Sequence, residues 1–167
     1  MTALEVDNNE VIARILHRCW IVDGVLQTNA FALNEGETYI SVNRMSVDSF
    51  DSDICVFVGS HPLYRISDTD EKYSRAEMNV ADVRALTVAL GGKSINVSIE
   101  VEPRDAHYKS HAGIFARIDG KNIKGGQNTE YQIDENLTVS TDAIHQKLRV
   151  QLVKLSKVNT FPVLSTN

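Results

Sequence analysis

The chain of 167 residues is 43% apolar and 23% charged, with a net charge of -5 and two cysteines. These proportions are typical of a globular protein and exclude a disordered or fibrous chain. The length predicts one domain over residues 1–167, with flexible termini at 1–9 and 159–167.

The negative net charge argues against general binding to nucleic acid or to an anionic membrane surface. The first ten residues lack the basic start and apolar run of a secretory signal, and no apolar stretch has the length of a membrane span. Cys19 and Cys55 lie in apolar segments without metal-ligand spacing, which predicts buried, reduced thiols. The sequence therefore predicts a cytoplasmic protein without a membrane partner.

The first half of the chain predicts a helix, a hairpin and a second helix. Apolar residues recur as adjacent pairs four apart over 11–20, which favours a helix over a strand. Alternating apolar residues on both sides of a polar turn predict a hairpin over 29–44. A period of 3.6 over 47–58 predicts a helix that Ser46 or Asp48 caps and Gly59 ends. A polar surface loop is expected at 60–72.

The second half predicts strands and one long helix. Residues 76–90 indicate a strand that passes into a helical turn, and the alternation over 94–102 predicts an antiparallel strand. A second strand over 114–118 ends at the turn dipeptide Asp119-Gly120, and residues 121–136 are rich in turn signals. Ser140 begins a predicted helix that runs to about Lys157, although Leu148, Val150 and Leu152 also alternate as in a strand.

Together these elements predict an α+β fold. An antiparallel sheet is expected from the 29–44 hairpin and the 94–118 strand pair, packed on one face by two or three helices.

A polar loop over 101–114 contains the leading candidate site residues, Asp105, His107 and His111. Imidazoles titrate near neutral pH and bind metals, and a carboxylate can orient an imidazole. The four-residue spacing of the two histidines brings their rings to one side only on a helix, whereas the flanking proline and glycine predict a loop. The alternatives are a catalytic or metal site completed by a remote residue such as His61, or an ordinary surface turn.

Two arginines are candidate ligand-binding residues. Arg65 follows His61 in the 60–72 loop, where both side chains would reach a carboxylate or phosphate. Arg44 ends a predicted strand, from which a guanidinium can bind an anion with two parallel hydrogen bonds. The alternative for each is a surface ion pair.

Two catalytic motifs are missing from the sequence. Gly125-Gly126 lacks the spacing of a phosphate-binding loop and predicts a turn. No Gly-x-Ser-x-Gly elbow is present, so the common type of serine hydrolase is not indicated. The sequence indicates no particular cofactor or metal.

Four short segments carry a resemblance. They are His17-Arg18-Cys19-Trp20, Ala30-Phe31-Ala32-Leu33, Tyr39-Ile40-Ser41-Val42-Asn43-Arg44 and Ser110-His111-Ala112-Gly113-Ile114. In this order they resemble a group of short, uncharacterised prokaryotic proteins. The resemblance implies a bacterial, single-domain protein and assigns no activity, cofactor or residue role.

Three functional hypotheses follow. The first is a small non-enzymatic accessory or interaction protein, with a protein partner or a second copy of the chain. The second is a metal-dependent or histidine-based hydrolase that uses the 105–111 loop and His61. The third is a nucleic-acid-binding accessory protein that uses Arg44, Arg65 and the lysines of the last helix, against the unfavourable net charge.

Overall fold

The structure is a computed structural model that describes residues 4–104 and 108–164. Its helices are α1 (Phe50–Ser60), α2 (Val80–Arg84) and α3 (Thr141–Leu155). Its strands are β1 (Val11–Leu16), β2 (Ile21–Val22), β3 (Val25–Leu26), β4 (Ile40–Arg44), β5 (Lys72–Asn79), β6 (Val88–Leu90), β7 (Lys93–Ile95), β8 (Val97–Pro103), β9 (His111–Ile118), β10 (Lys121–Asn122), β11 (Glu130–Asp134), β12 (Leu137–Ser140) and β13 (Lys157–Pro162). Short 3-10 turns lie at Arg18–Trp20, Thr28–Phe31 and Pro62–Tyr64.

Within the described residues, seven strands form the main sheet in the order β10-β9-β4-β1-β5-β13, with β8 paired to β9. The strand pairs of this sheet are antiparallel. The α+β prediction is confirmed. In the described part of the chain, no helix is long and apolar enough to cross a membrane.

Two hydrophobic clusters cover the two faces of the sheet. One contains Ile12 and Leu16 of β1 together with Val80 of α2 and Leu148 of α3. The other is smaller and packs α1 against Ala13, Ile15 and Tyr73, with Phe50, Ile54 and Val58 as its helical members. The helices are therefore divided between both faces, whereas the sequence predicted them on one.

The helix predicted over 11–20 is wrong, because residues 11–16 form the strand β1. β1 pairs with β5 along its whole length and with β4 at one end, so it lies inside the sheet. Ile12 and Leu16 face one cluster while Ala13 and Ile15 face the other. A strand covered on both faces has apolar residues at successive positions, and such a run imitates a helical pattern.

The hairpin predicted over 29–44 is also wrong. Residues 28–31 form a 3-10 turn, and β4 pairs with β1 and β9 instead. The turn at 34–37 hydrogen-bonds to a remote loop, since Gly36 N donates to Gly125 O and Gly125 N donates to Glu37 O, each at 2.8 Å. Two apolar pairs flanking a turn were therefore insufficient evidence for a hairpin.

Other predicted elements are confirmed with small shifts. The helix predicted over 47–58 is present as α1, but its predicted ends are wrong: Ser49 precedes it instead of Ser46 or Asp48, and it runs through Gly59 to Ser60. β5 passes directly into α2, and β8 pairs with β9 as predicted for the 94–118 segment. Ser140 caps α3 by accepting a hydrogen bond from Ala143 N. α1, α3 and β8 each bury one regular face, which is the pattern that local sequence reveals best, whereas β5 and β9 are buried on both faces.

Candidate functional site

The polar loop at 104–110 joins the two strands of a hairpin. β8 and β9 pair from Val97 and Ile118 to Pro103 and Ala112, so the loop connects their adjoining ends. Asp105 and His107 lie outside the described residues, and their roles stay predictions. His111 is the first residue of β9. His111 therefore lies in the sheet and not in the loop, where the sequence prediction placed it.

His111 contacts a serine from the neighbouring strand. Its Nε2 lies 2.6 Å from Ser41 Oγ, and the residue is only 7% exposed. β4 and β9 are paired in the order Ser41 with Gly113 and Asn43 with His111, which brings the two side chains together on one face. A serine hydroxyl hydrogen-bonded to an imidazole is the arrangement of a nucleophile and its general base.

Next to Ser41, the sheet has a gap. β1 and β4 pair only at Ile12 with Arg44 and Ala13 with Asn43, although β1 continues to Leu16. Beyond Ala13 the backbones of the two strands are not paired. A side chain joins them instead, because Arg14 Nη1 donates to Ser41 O at 2.8 Å. A carbonyl oriented toward the neighbouring strand is thereby satisfied by a guanidinium.

Arg14 is a partly buried cation whose guanidinium contacts backbone carbonyls and an aromatic ring. Its Nε donates to Ala30 O at 3.1 Å, and its guanidinium lies 4.9 Å from the centre of the Trp20 ring. No carboxylate of the described residues lies within ion-pair distance of it. Burial lowers the pKa of Arg14, with Tyr64 and Glu37 opposing the shift. Because the ordinary arginine pKa is so high, the group remains charged at neutral pH.

A cavity of about 510 Å³ lies in this gap, and Arg14, Ser41 and His111 are part of its wall. We call it the central cavity. Four aromatic side chains contribute to its lining, namely Trp20, Phe57, Tyr64 and Tyr108. Its other polar lining residues are Asn29, Asn34, Glu37 and Asn43. A cation, hydrogen-bonding groups and aromatic rings thus surround one space.

The four aromatic side chains that line the central cavity, which we call the aromatic wall, contact one another through their rings. Phe57 and Tyr64 meet edge to face with ring centres 4.8 Å apart, and Tyr64 meets Trp20 in the same way at 5.8 Å. Tyr108 approaches Phe57 at 6.5 Å. Burial raises the pKa of Tyr64, against the effect of Arg14. These spacings are favourable for aromatic pairs, so the wall is a preformed apolar surface.

A hydrogen-bond network fixes the strand ends beside the cavity. Asp53 of α1 accepts from Ser110 Oγ at 2.6 Å and from Ser110 N at 3.0 Å. Ser110 Oγ in turn accepts from Asn43 Nδ2 at 2.8 Å. Ser110 is fully buried and directly precedes His111. The network therefore ties α1, β4 and the start of β9 together and holds His111 in register.

His61 lies near the central cavity without lining it. It follows α1 as its C-terminal cap, and its Nδ1 lies 2.9 Å from Phe57 O. Its ring stacks on Phe57 at 4.6 Å. The structure connects His61 to the aromatic wall rather than to His111, and its catalytic role stays a prediction.

The two predicted ligand-binding arginines lie elsewhere. Arg44 is 8% exposed and forms a pair of 2.8 Å hydrogen bonds with Glu10, while it also donates to the carbonyls of Leu4 and Glu5. Arg65 lines a separate cavity of about 310 Å³, and its buried Nε has no hydrogen-bond partner among the residues that the structure describes. Their ligand-binding roles stay predictions.

Cys19 is exposed and Cys55 is partly buried, and both are free thiols. The expectation of burial is therefore wrong for Cys19, which lies in the 3-10 turn after β1 rather than on a helical face. Among the described residues, no group of three or more histidine, cysteine or acidic side chains is arranged to hold a metal ion.

Arg14 and Ser41 are among the lining residues of the central cavity that the sequence prediction missed. A strand assignment of 11–16 places Arg14 between Ile12 and Leu16, on a face that is otherwise apolar. A single charge at such a position is the signal that would have identified it. The juxtaposition of Ser41 with His111 depends on strand order, which no local pattern contains.

No protein-family model matches the chain, and neither the curated proteins nor the solved structures contain a match.

Proposed function

We propose that the protein binds a small aromatic carboxylate in the central cavity. The observation that carries this proposal is Arg14, a cation in the wall of the cavity that is held by two backbone carbonyls and has no carboxylate partner in the described chain. Arginine binds carboxylates through paired hydrogen bonds, and the pairing is strongest away from water.

The aromatic wall supports a ligand that carries a ring. Trp20, Phe57 and Tyr64 offer ring faces and edges to the same space that Arg14 reaches. Small-molecule sites are mostly apolar, with a few polar groups that fix orientation, and commonly enclose about 300–1,000 Å³. The central cavity has this size and composition.

Charge favours a ligand with a single negative charge. Glu37 also lines the cavity and interacts electrostatically with Arg14. A second negative charge on the ligand would be repelled by the Glu37 carboxylate, and no second cation lines the cavity in the described chain to offset this repulsion. A carboxylate is therefore favoured over a phosphate dianion, and a small anion is favoured over a nucleic-acid strand.

The experiment is calorimetric titration with 2-naphthoate, its neutral isostere 2-naphthamide, and 2-naphthyl phosphate. We expect 2-naphthoate to bind the wild type and the other two to bind at least about tenfold more weakly. Arg14→Gln should weaken 2-naphthoate binding about tenfold or more, because it removes the cation and keeps a hydrogen-bonding group.

Arg117→Gln is the matched control. Arg117 pairs with Glu102 on β8 and does not line the cavity, so its substitution should leave 2-naphthoate binding unchanged. Equal affinity for the acid and the amide, or an equal loss in both arginine variants, would overturn the proposal.

A cytoplasmic location and a protein partner or second copy remain further proposals for this chain. The two free thiols support a reducing compartment. A binding protein of this kind agrees with the non-enzymatic hypothesis, and light scattering would measure whether a second copy is bound.

A further inference from the structure

We propose that Ser41 and His111 form a catalytic pair that hydrolyses small aryl esters in the central cavity. The inference goes beyond carboxylate binding but rests on it, since the same cavity would hold the substrate. It uses one candidate residue from the sequence, His111, with a nucleophile that the fold supplies from β4.

The geometry meets the first requirement of nucleophilic catalysis. Ser41 Oγ and His111 Nε2 are 2.6 Å apart, and both residues line the cavity. In the tautomer with the proton on Nδ1, Nε2 accepts the hydrogen bond from the hydroxyl and is placed to take its proton. Because both residues line the cavity and His111 is otherwise almost buried, a substrate in the cavity would meet the pair there.

The position of the pair is fixed by its surroundings. Ser41 is the second residue of β4, in the part of the strand that is not paired with β1, and its carbonyl accepts a hydrogen bond from Arg14. Ser110, directly before His111, is locked by Asp53. Both partners are thus carried by strands rather than by mobile loops, as precise catalytic geometry requires.

In the first half of the reaction, Ser41 Oγ attacks the ester carbonyl carbon while its proton moves to His111 Nε2. The carbonyl oxygen becomes an oxyanion in the tetrahedral intermediate. When the intermediate collapses, the bond from carbon to the aryl oxygen breaks, and His111 returns the proton to the leaving aryl oxide. The products are an alcohol with an aromatic ring and an acyl ester on Ser41.

In the second half, water attacks the acyl carbon and gives its proton to His111. Collapse of the second tetrahedral intermediate releases the carboxylic acid, and Ser41 Oγ regains a proton from His111. The net change is one ester and one water to one acid and one alcohol, without any redox partner. Arg14, in the wall of the same cavity, provides the positive charge that stabilises the oxyanions.

The experiment measures release of fluorescent 2-naphthol from 2-naphthyl acetate, together with labelling by a fluorophosphonate probe mapped by peptide mass spectrometry. We expect turnover that 2-naphthoate inhibits, and a label on Ser41. Ser41→Ala and His111→Asn should each lower kcat/KM about 100-fold or more, the range for loss of a nucleophile or general base.

Ser74→Ala is the matched control, because Ser74 is a buried serine on β5 that bonds to Thr160 outside the cavity. It should retain full turnover and labelling. Circular dichroism and 2-naphthoate titration of Ser41→Ala confirm that this variant is folded with an intact cavity.

The outcomes separate the two proposals. Turnover unchanged in Ser41→Ala, or no turnover by a wild type that binds 2-naphthoate, would overturn the catalytic pair and leave carboxylate binding intact. Ser41-dependent turnover without 2-naphthoate binding would support the pair and overturn the proposed ligand. A wild type that neither binds 2-naphthoate nor hydrolyses 2-naphthyl acetate would overturn both proposals.

Discussion

Arg14 and Arg44 extend from adjacent strands of the same sheet, yet their surroundings differ. Arg44 meets both carboxylate oxygens of Glu10 and two backbone carbonyls. Arg14 meets two backbone carbonyls and a tryptophan ring, and it lines a cavity. The buried Arg44 is neutralised by Glu10, whereas the partly buried Arg14 has no carboxylate in ion-pair contact among the described residues.

The difference assigns different tasks to similar side chains. A buried charge is costly unless it is paired, so the Arg44 pair with Glu10 fastens the segment before β1 to the sheet. At Arg14 the protein removes a charge from water without giving it a carboxylate partner among the described residues. Binding sites do this when a ligand supplies the opposite charge. The local contacts, rather than the sequence position, separate a structural arginine from a functional one.

The largest expected effect distinguishes the two arginines by stability. Arg44→Met should lower the free energy of unfolding by about 3 kcal/mol or more, because Glu10 would stay buried without its partner. Arg14→Met should lower it by less, about 1–2 kcal/mol, because it leaves the carbonyls of Ala30 and Ser41 without their donor but leaves no carboxylate unpaired. Urea unfolding of the two variants measures the contrast, and equal losses would contradict it.

Acid should destabilise the protein in two separate pH windows, neither of which involves Arg14. Burial lowers the pKa of His145 to about 4, while its Nε2 accepts from Leu33 N. A folded pKa below the ordinary value gives stability that is complete above pH 6.5 and is lost as the pH falls toward 4. The loss should be on the order of 2 kcal/mol, because the imidazole is partly exposed.

The lower window belongs to Glu10. Burial raises its pKa, but hydrogen bonds from Arg44, the Asp7 backbone and Ser46 outweigh that effect and hold the pKa at about 2. Its contribution is complete above pH 4.5 and is lost between 4.5 and 2. In denaturant unfolding from pH 8 to 3, the stability of His145→Gln should no longer change between pH 6.5 and 4, while the change below pH 4.5 remains.

If His145→Gln still loses stability between pH 6.5 and 4, the upper window belongs to another group.

A smaller loss of stability is expected beside the cavity, at Gly125. A Cβ there would overlap the carbonyl oxygen of Asn34, which belongs to the turn that precedes Glu37. Gly125→Ala should therefore cost about 1–3 kcal/mol, as overpacking does. Gly59→Ala is the control, since no atom lies near its added Cβ. Equal melting temperatures of the two variants would contradict the close approach.

The smallest effect sharpens the electrostatics of the central cavity. Glu37→Gln keeps a hydrogen-bond acceptor for Asn34 N and removes a negative charge from the cavity wall. The affinity for 2-naphthoate should rise about threefold, and that for 2-naphthamide should not change. Calorimetry of both compounds checks this, and an equal change in both would mean that the effect is steric.

Much of the fold follows from local patterns, and the exceptions have a common cause. α1, α3 and β8 each bury one face, so their apolar periods predict them. β1 is covered on both faces, and its period is lost. The hairpin prediction for residues 29–44 was wrong because the turn in this segment hydrogen-bonds to Gly125 and does not close a hairpin.

The site was predictable only in part. His111 was selected for its chemistry, but its partner depends on β9 lying beside β4, and the cavity depends on β4 separating from β1. These are consequences of the sheet order, which joins residues far apart in the chain. Arg14 alone left a local trace, as one charge within an apolar run.

The central claim is that Arg14 holds the anion of a ligand inside the central cavity. A crystal structure with 6-bromo-2-naphthoate tests it most directly, because the anomalous signal of bromine locates the ring. We predict bromine density beside the aromatic wall of Trp20, Phe57 and Tyr64, with the carboxylate hydrogen-bonded to Arg14. A compound bound elsewhere, or a ligand in the cavity with its carboxylate turned away from Arg14, would contradict the claim.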